Sequence, residues 1–495
     1  MADEPQPRFV YVNRQQLVLR TVDVEQLIEA DHPARAIWEF LGRLDLSRFS
    51  EGVQAYEGER GRAAYDPQLL ISLWLYSYSR GVTAGREIAR LCETDPAYQW
   101  LTGMRVVNYH SLTDFRVQHE AGLRELFIQI LGVLSSEGLV TLERVMNDGT
   151  KIKAQASRQS FQGAKRIREH LVAARRHVEA LERQAEEEVG QKLGRARERA
   201  AKESEARLAA ALAEFEKLRE QKPEVSPDKL RVSITEPEAR KMKQPDGGYA
   251  PSYNVQISTD QACGIIVGAG LSQSAGDSKQ LLPALTRVKE NIGKLPAQVV
   301  ADAGYASGFN IKQLADQNID FIAPLKDQLG PLKHTGIDPA FSREVFSYDQ
   351  AANNYLCPAG TKLTYQGRER RGAGVTFKYR APASVCKRCV HKPQCCPTSK
   401  LGRSLNRSEY EAQLLSHKAK METVEAQTIY KQRAQTAEFP IAWLKEKIGL
   451  RRFRLRGLRK AELEILWACA THNLQQWIRL AWKPQFLNPQ AQSTA

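Results

Sequence analysis

The chain has 495 residues and a formal charge of +15, from 72 Lys and Arg against 57 Asp and Glu. With 42% hydrophobic and 26% charged residues it has a globular balance and length for two to four domains, which excludes a disordered or fibrous chain. The basic excess favours a polyanionic partner, nucleic acid first.

The start, Met1-Ala2-Asp3-Glu4-Pro5, is polar and unlike a signal peptide. No apolar run approaches the roughly 18 residues that a membrane span needs. A cytoplasmic protein with no membrane partner is therefore expected. Disulfides are disfavoured in that compartment, so clustered members of the eight cysteines need another explanation.

Residues 1–140 read as a helical domain. Asp66 and Pro67 suit the cap and first position of a helix carrying Leu69, Leu70, Leu73, Trp74 and Tyr76. Thr83 to Cys92 forms another. A third opens at Tyr109 with Ser111 or Thr113 as its cap and runs on through Leu134. Short helices with basic residues suit DNA binding and, equally, packing or dimerisation.

Arg144 to Ile152 reads as strand, tight turn, strand, because Asp148-Gly149 is a hairpin-type dipeptide. Asp148 is then either a turn residue or a carboxylate at the end of a central strand. Residues 164–222 are rich in Ala, Glu, Arg and Lys. They predict a solvated arm of two antiparallel helices, broken near Gly190 to Gly194 and ended by Pro223 and Pro227.

Strands are predicted over Tyr253–Ser258, Gly264–Gly268, the run Val299-Val300-Ala301 and Ile319–Leu325, with helices over Asp277–Val288 and Asn310–Leu314. Asp302 follows its strand at the C-terminal edge, where ligands and metals collect in open α/β sheets. With the Asp148 strand, this order predicts an α/β fold built on an RNase H-like mixed five-stranded sheet. The core would span 141–327 and 405–482, with the arm inserted at 164–222, a cysteine-rich insert at 328–404 and a flexible tail at 483–495.

The insert carries Cys357, Cys386, Cys389 and Cys395, a set able to close a tetrahedral zinc site, with His391 or Cys396 able to substitute for one ligand. Reduced surface thiols are the alternative. Cys92, Cys263 and Cys469 are isolated and expected in the core. The block from Ser404 onward reads as helical. Glu438 and Lys445 stand two turns apart on one face, and Pro440 puts Glu438 at a kink or in a first turn. Arg451, Arg452, Arg454 and Arg456, interleaved with apolar residues, suit a surface that tracks a nucleic-acid backbone. The helix from Ala461 to Leu480 should pack on the sheet.

Several blocks together resemble the DDE transposases of bacterial insertion sequences. They are Gly61-Arg62-Ala63-Ala64-Tyr65-Asp66-Pro67, Asp148-Gly149-Thr150-Lys151-Ile152-Lys153-Ala154, Ala301-Asp302-Ala303-Gly304-Tyr305, Glu438-Phe439-Pro440 with Lys445, and Arg452-Phe453-Arg454-Leu455-Arg456-Gly457. The resemblance implies Asp148, Asp302 and Glu438 as the catalytic acids holding two Mg2+ (or Mn2+) ions, with Asp148 shared between them. It implies phosphate contact by Lys445 and positioning of a DNA end by Tyr430 and Arg433. The partners would be double-stranded terminal inverted repeats and target DNA, with a homodimer on DNA. A structural Zn2+ in the cysteine insert also fits this family. Relatives often place three residues between that arginine and the glutamate, whereas here there are four. The rival readings are an RNase H-like nuclease without strand transfer, a transposase-derived DNA-binding protein, and a zinc-dependent protein that binds RNA.

Overall fold

The computed structural model describes residues 14–15, 17, 19, 21–51, 53, 63–187, 192–326, 335–371 and 374–483. The polar N-terminus, Gly61-Arg62 and the predicted tail beyond Lys483 lie outside these.

Among the described residues six α-helices come first: α1 (Pro33–Leu41), α2 (Pro67–Ser79), α3 (Gly85–Thr94), α4 (Pro96–Thr102), α5 (Tyr109–Gln118) and α6 (Glu120–Ser136). Asp66 caps α2 as expected, its carboxylate accepting from Gln68 N at 3.0 Å, with Pro67 at the first position. The third predicted helix differs in two ways. Asn108, not Ser111 or Thr113, is its cap, accepting from His110 N at 2.8 Å. The helix also breaks at His119, whose φ −95 and ψ 55 leave helical space, so α5 and α6 are separate.

The central sheet contains β1 (Arg144–Lys153), β4 (Arg240–Lys243), β5 (Tyr249–Asp260), β6 (Ile266–Ser272), β7 (Gln298–Ala301) and β8 (Asp320–Ile322). A minor pair, β2 (Phe161–Gln162) with β3 (Val232–Ser233), lies apart. The order β6-β5-β1-β7-β8, with β5 antiparallel to its neighbours and β1, β7 and β8 parallel, is the RNase H-like arrangement. β4 adds to the same edge of β5 that β6 occupies, making six strands where five were predicted.

The predicted turn at Asp148-Gly149 is absent. β1 runs unbroken through both residues, paired with β5 along its length. Gly149 does not take the positive φ of a hairpin turn. It is a glycine set in a strand against closely approaching side chains. Asp277 lies before α9 (Leu281–Ile292) rather than within it, and α10 (Gly308–Asp316) is capped by Ser307.

The arm is α7 (Ala164–Glu187) and α8 (Lys192–Gln221). The pairs Arg168–Glu216, Arg175–Glu205 and Lys202–Glu182 set them antiparallel. The predicted break falls partly on 188–191, outside the described residues, and Gly194 already belongs to α8. Ile167, Ala211, Phe215, Leu218, Leu230 and Val232 bury the arm's base.

The cysteine-rich stretch contains a structure the composition did not reveal. It is an antiparallel sheet of β9 (Ser347–Asp349), β10 (Asn354–Leu356), β11 (Lys362–Arg371), β12 (Gly374–Arg380) and β13 (Ser404–Ser408), with short helices α11 (Ala383–Arg388) and α12 (Lys392–Cys395). The block from Ser404 therefore opens as a strand, because β13 completes this sheet beside β12.

The chain ends in α13 (Glu411–Met421), α14 (Val424–Lys431), α15 (Phe439–Glu446) and α16 (Leu458–Leu480). α16 is the spine of the molecule. Trp467 packs near Trp74, and Trp477 meets the ring of Phe40 edge-on at 4.7 Å. The Asn473 amide exchanges two 2.8 Å hydrogen bonds with the Ile266 backbone of β6. One hydrophobic core thus joins the N-terminal helices, α16 and the sheet, continuous across residue 140. Cys92 and Cys469 are buried, as expected, while Cys263 is partly buried. Among the described residues, no helix is long and apolar enough to cross a membrane.

Candidate active site

β1 and β7 run parallel, with Asn147 opposite Ala301 as their last paired residues. The next residue after each is an aspartate, Asp148 within β1 and Asp302 just past the end of β7. The parallel register therefore delivers two carboxylates side by side where β7 ends. Each is held by a local N–H: Asp148 Oδ1 accepts from Gly149 N at 2.8 Å, and Asp302 Oδ1 from Gly304 N at 2.6 Å. Burial pushes the Asp148 carboxyl above its usual range. Arg433 and the Gly149 N–H oppose that shift, and the charge of Asp302 adds to it.

Glu438 comes from the C-terminal helices. Between α14 and α15 the backbone makes one wide π-turn, Ala434–Glu438. A π-turn holds one residue more than an α-turn, so residues five apart share a face across it. Arg433 and Glu438 are five apart, and the Arg433 guanidinium lies 3.1 Å from Asp148 Oδ2 and 3.8 Å from Glu438 Oε1. The extra residue between them is thus absorbed by the wide turn, which leaves Glu438 within reach of the same guanidinium that pairs with Asp148. Pro440, two residues into α15, supplies no N–H to an α-helical ladder here, which favours the wider turn.

Glu438 is 62% exposed, against 17% for Asp148. Among the described residues, no three His, Cys, Asp or Glu side chains stand at a spacing that would hold a metal ion. Arg433 supplies the positive charge between Asp148 and Glu438 in this conformation. The donor set itself is carboxylate oxygen, the chemistry that Mg2+ and Mn2+ prefer.

The basic residues sort into two groups. Lys445, on α15, donates to Thr150 Oγ1 of β1 at 2.5 Å, two residues beyond Asp148 on the same sheet face. Burial lowers its pKa, with Arg451 adding to the effect. The ring of Tyr430 lies 5.7 Å from the Arg433 guanidinium carbon. Arg451, Arg452, Arg454 and Arg456 are exposed, while Phe453 between them is fully buried against Tyr253. This ribbon runs beside the end of β1: Phe453 N donates to Lys153 O at 2.9 Å.

Sequence reasoning missed what fixes that ribbon. Buried Glu464 accepts from the N–H groups of Arg454 and Leu455, each at 3.0 Å. Buried Glu236 accepts from Gly457 N at 3.1 Å and from Tyr253 OH at 3.0 Å. Glutamates on a helix and in a loop carry no pattern that marks them as backbone anchors. Asp277 was missed for a similar reason, since an aspartate between Gly276 and Ser278 reads as a helix-start residue.

In the insert, Cys357, Cys386, Cys389, Cys395, Cys396 and His391 all line one cavity of about 30 Å³. Cys357 Sγ accepts from Thr361 N at 3.2 Å and Cys386 Sγ from Arg403 N at 3.4 Å. Burial pushes the Cys395 thiol up to about 11.

Residues 356–478 match the family model described as a transposase DDE domain, and residues 22–118 match one described as a transposase domain, DUF772. Two stretches of the chain are thus similar to transposase domains. The first match contains Glu438, Lys445 and the arginine ribbon and begins after both aspartates. The second covers α1 to α5. No curated protein matches the chain.

Proposed function

We propose that this protein is a transposase that cuts DNA at the ends of its element and joins the freed 3′-hydroxyl to target DNA, with Asp148, Asp302 and Glu438 as the metal-holding acids. The observation that carries the proposal is the register of β1 and β7, which leaves Asp148 and Asp302 adjacent at the end of the shorter strand. Glu438 joins them through the π-turn that also presents Arg433.

Mg2+ or Mn2+ held by these acids would supply the positive charge that activates an attacking oxygen and stabilises a leaving one at phosphorus. The remaining roles belong to the chain's own residues. Lys445, beside Thr150, meets a phosphate near the scissile bond. Tyr430 and Arg433 orient the DNA end. Arg451, Arg452, Arg454 and Arg456 hold the backbone without reading sequence, and their anchored main chain and exposed side chains support that role. The partners are terminal inverted repeats and target DNA, held by a homodimer, with residues 1–140 contributing DNA contacts. The insert at 328–404 would hold a structural Zn2+ through Cys357, Cys386, Cys389 and Cys395, with His391 or Cys396 able to replace one ligand. Their shared cavity supports this assignment.

The test is a purified strand-transfer assay with pre-cut element ends. Asp302→Ala should abolish joining while leaving end binding intact. Full joining by that variant would overturn the metal assignment. Metal analysis of the purified protein should find about one zinc per chain, lost together with stability in Cys386→Ser with Cys389→Ser.

A further inference from the structure

Strand alternation sends Asp148 and Thr150 to one face of β1, and Gly149 and Lys151 to the other. Behind the acids, on the Gly149 face, sits a polar cluster centred on Asp277. Asp277 Oδ1 accepts from Asn254 Nδ2 at 2.7 Å and from Gln256 Nε2 at 3.0 Å, and its Oδ2 lies 3.5 Å from Lys151 Nζ. Gln256 Oε1 in turn accepts from Tyr305 OH at 2.5 Å. Burial, with the negative charges of Asp277, Asp148 and Asp302 nearby, holds the Tyr305 phenol protonated and donating.

Both acid-bearing segments pack on this cluster through glycines. A Cβ on Gly149 would lie 2.5 Å from Gln256 Nε2, 2.9 Å from Asp277 Oδ1 and 3.0 Å from Tyr305 OH. A Cβ on Gly304 would lie 2.8 Å from Asp302 Oδ1 and 3.5 Å from Asp277 Cβ. Gly149 is the residue after Asp148, and Gly304 supplies the N–H that Asp302 accepts. Tyr305 closes the same turn, its N–H donating to Asp302 O at 3.1 Å.

We infer that Asp277 is a positioning residue, which sets the separation of Asp148 and Asp302 by bracing both backbones through Gln256 and Tyr305. It fixes where the two acid-bearing segments stand and does not itself touch substrate. The inference rests on the three-acid reading proposed above.

The test measures Mn2+ binding to the full chain without DNA, by titration followed with electron paramagnetic resonance. Asp277→Ala orphans the Gln256 and Asn254 donors and frees the Asp302 turn. It should weaken Mn2+ binding about 10–100-fold, as loss of a supporting hydrogen bond behind a metal ligand does. Asp277→Asn keeps an acceptor oxygen and should recover most of that loss. Tyr305→Phe removes only the hydroxyl and, being gentle on folding, keeps the test decisive if Asp277→Ala does not fold; it too should weaken Mn2+ binding. A merely structural role would lower the melting temperature and leave Mn2+ affinity of the folded protein unchanged, which overturns the inference. Asp302→Ala separates the two claims. If it binds Mn2+ like the wild type, the three-acid reading fails and this inference with it. If it does not bind while Asp277→Ala and Tyr305→Phe bind normally, only the inference fails.

Discussion

The Arg433 guanidinium lies 3.1 Å from the Asp148 carboxylate, joining the helical segment after α14 to the central strand β1 across the site. Both side chains are largely shielded, at 15% and 17% exposure, so the pair is screened less than a surface ion pair. Removing the cation leaves Asp148 facing Asp302 without its counter-ion. Arg433→Gln should therefore destabilise the metal-free protein by about 1–3 kcal/mol, measured by urea unfolding in chelator. Added Mg2+ should recover part of the loss. An unchanged unfolding midpoint would show that the pair contributes nothing.

The π-turn gives a prediction about length. Deleting Gln435 should convert the turn to α-helix with Arg433 and Glu438 still on one face, four residues apart. Inserting an alanine at the same place instead rotates Glu438 by about 100°. DNA cleavage should survive the deletion at reduced rate and vanish with the insertion, while circular dichroism stays helical for both. Equal loss in the two variants would contradict this use of the turn.

His472 on α16 supplies a pH dependence. Burial pushes its pKa down to about 4 from an ordinary 6.5, opposed by its hydrogen bond to Gly264 O. The unfolded chain therefore binds the extra proton between those values. Stability from this group is present above about pH 6.5 and is lost as pH falls through about 4, a swing on the order of 3 kcal/mol. Unfolding free energies at pH 7 and pH 4.5 should differ less in His472→Gln than in the wild type. An identical pH slope would sink the prediction.

The arginine ribbon should act through phosphate alone. Arg452→Ala and Arg454→Ala should weaken binding to any duplex, and each should flatten the slope of log affinity against log salt by about 0.9. A loss confined to element ends would mean base reading instead.

The sheet order was legible because β-branched runs such as Val299-Val300 and the alternation from Tyr253 to Ser258 survive in the fold. Asp302 was placed correctly by the simple end of its strand. Asp148 misled because Asp-Gly has a strong local turn preference, which β5 overrides by pairing through it. The four-residue gap before Glu438 looked like a departure from the family pattern, and only backbone geometry turns it into an equivalent face. The insert's sheet was invisible because its strands are polar, half-exposed and interrupted by the cysteine motif. Asp277 was illegible in principle: its partners lie on β1 and β5 and after β7, brought together only by folding.

The most direct measurement is cleavage of a supercoiled plasmid carrying the flanking element ends, with Mg2+, by wild type and Glu438→Ala. Excision that requires Mg2+ and is lost in the variant, with binding of the ends retained, is the predicted result. Excision undiminished in Glu438→Ala would contradict the assignment of Asp148, Asp302 and Glu438 as one site.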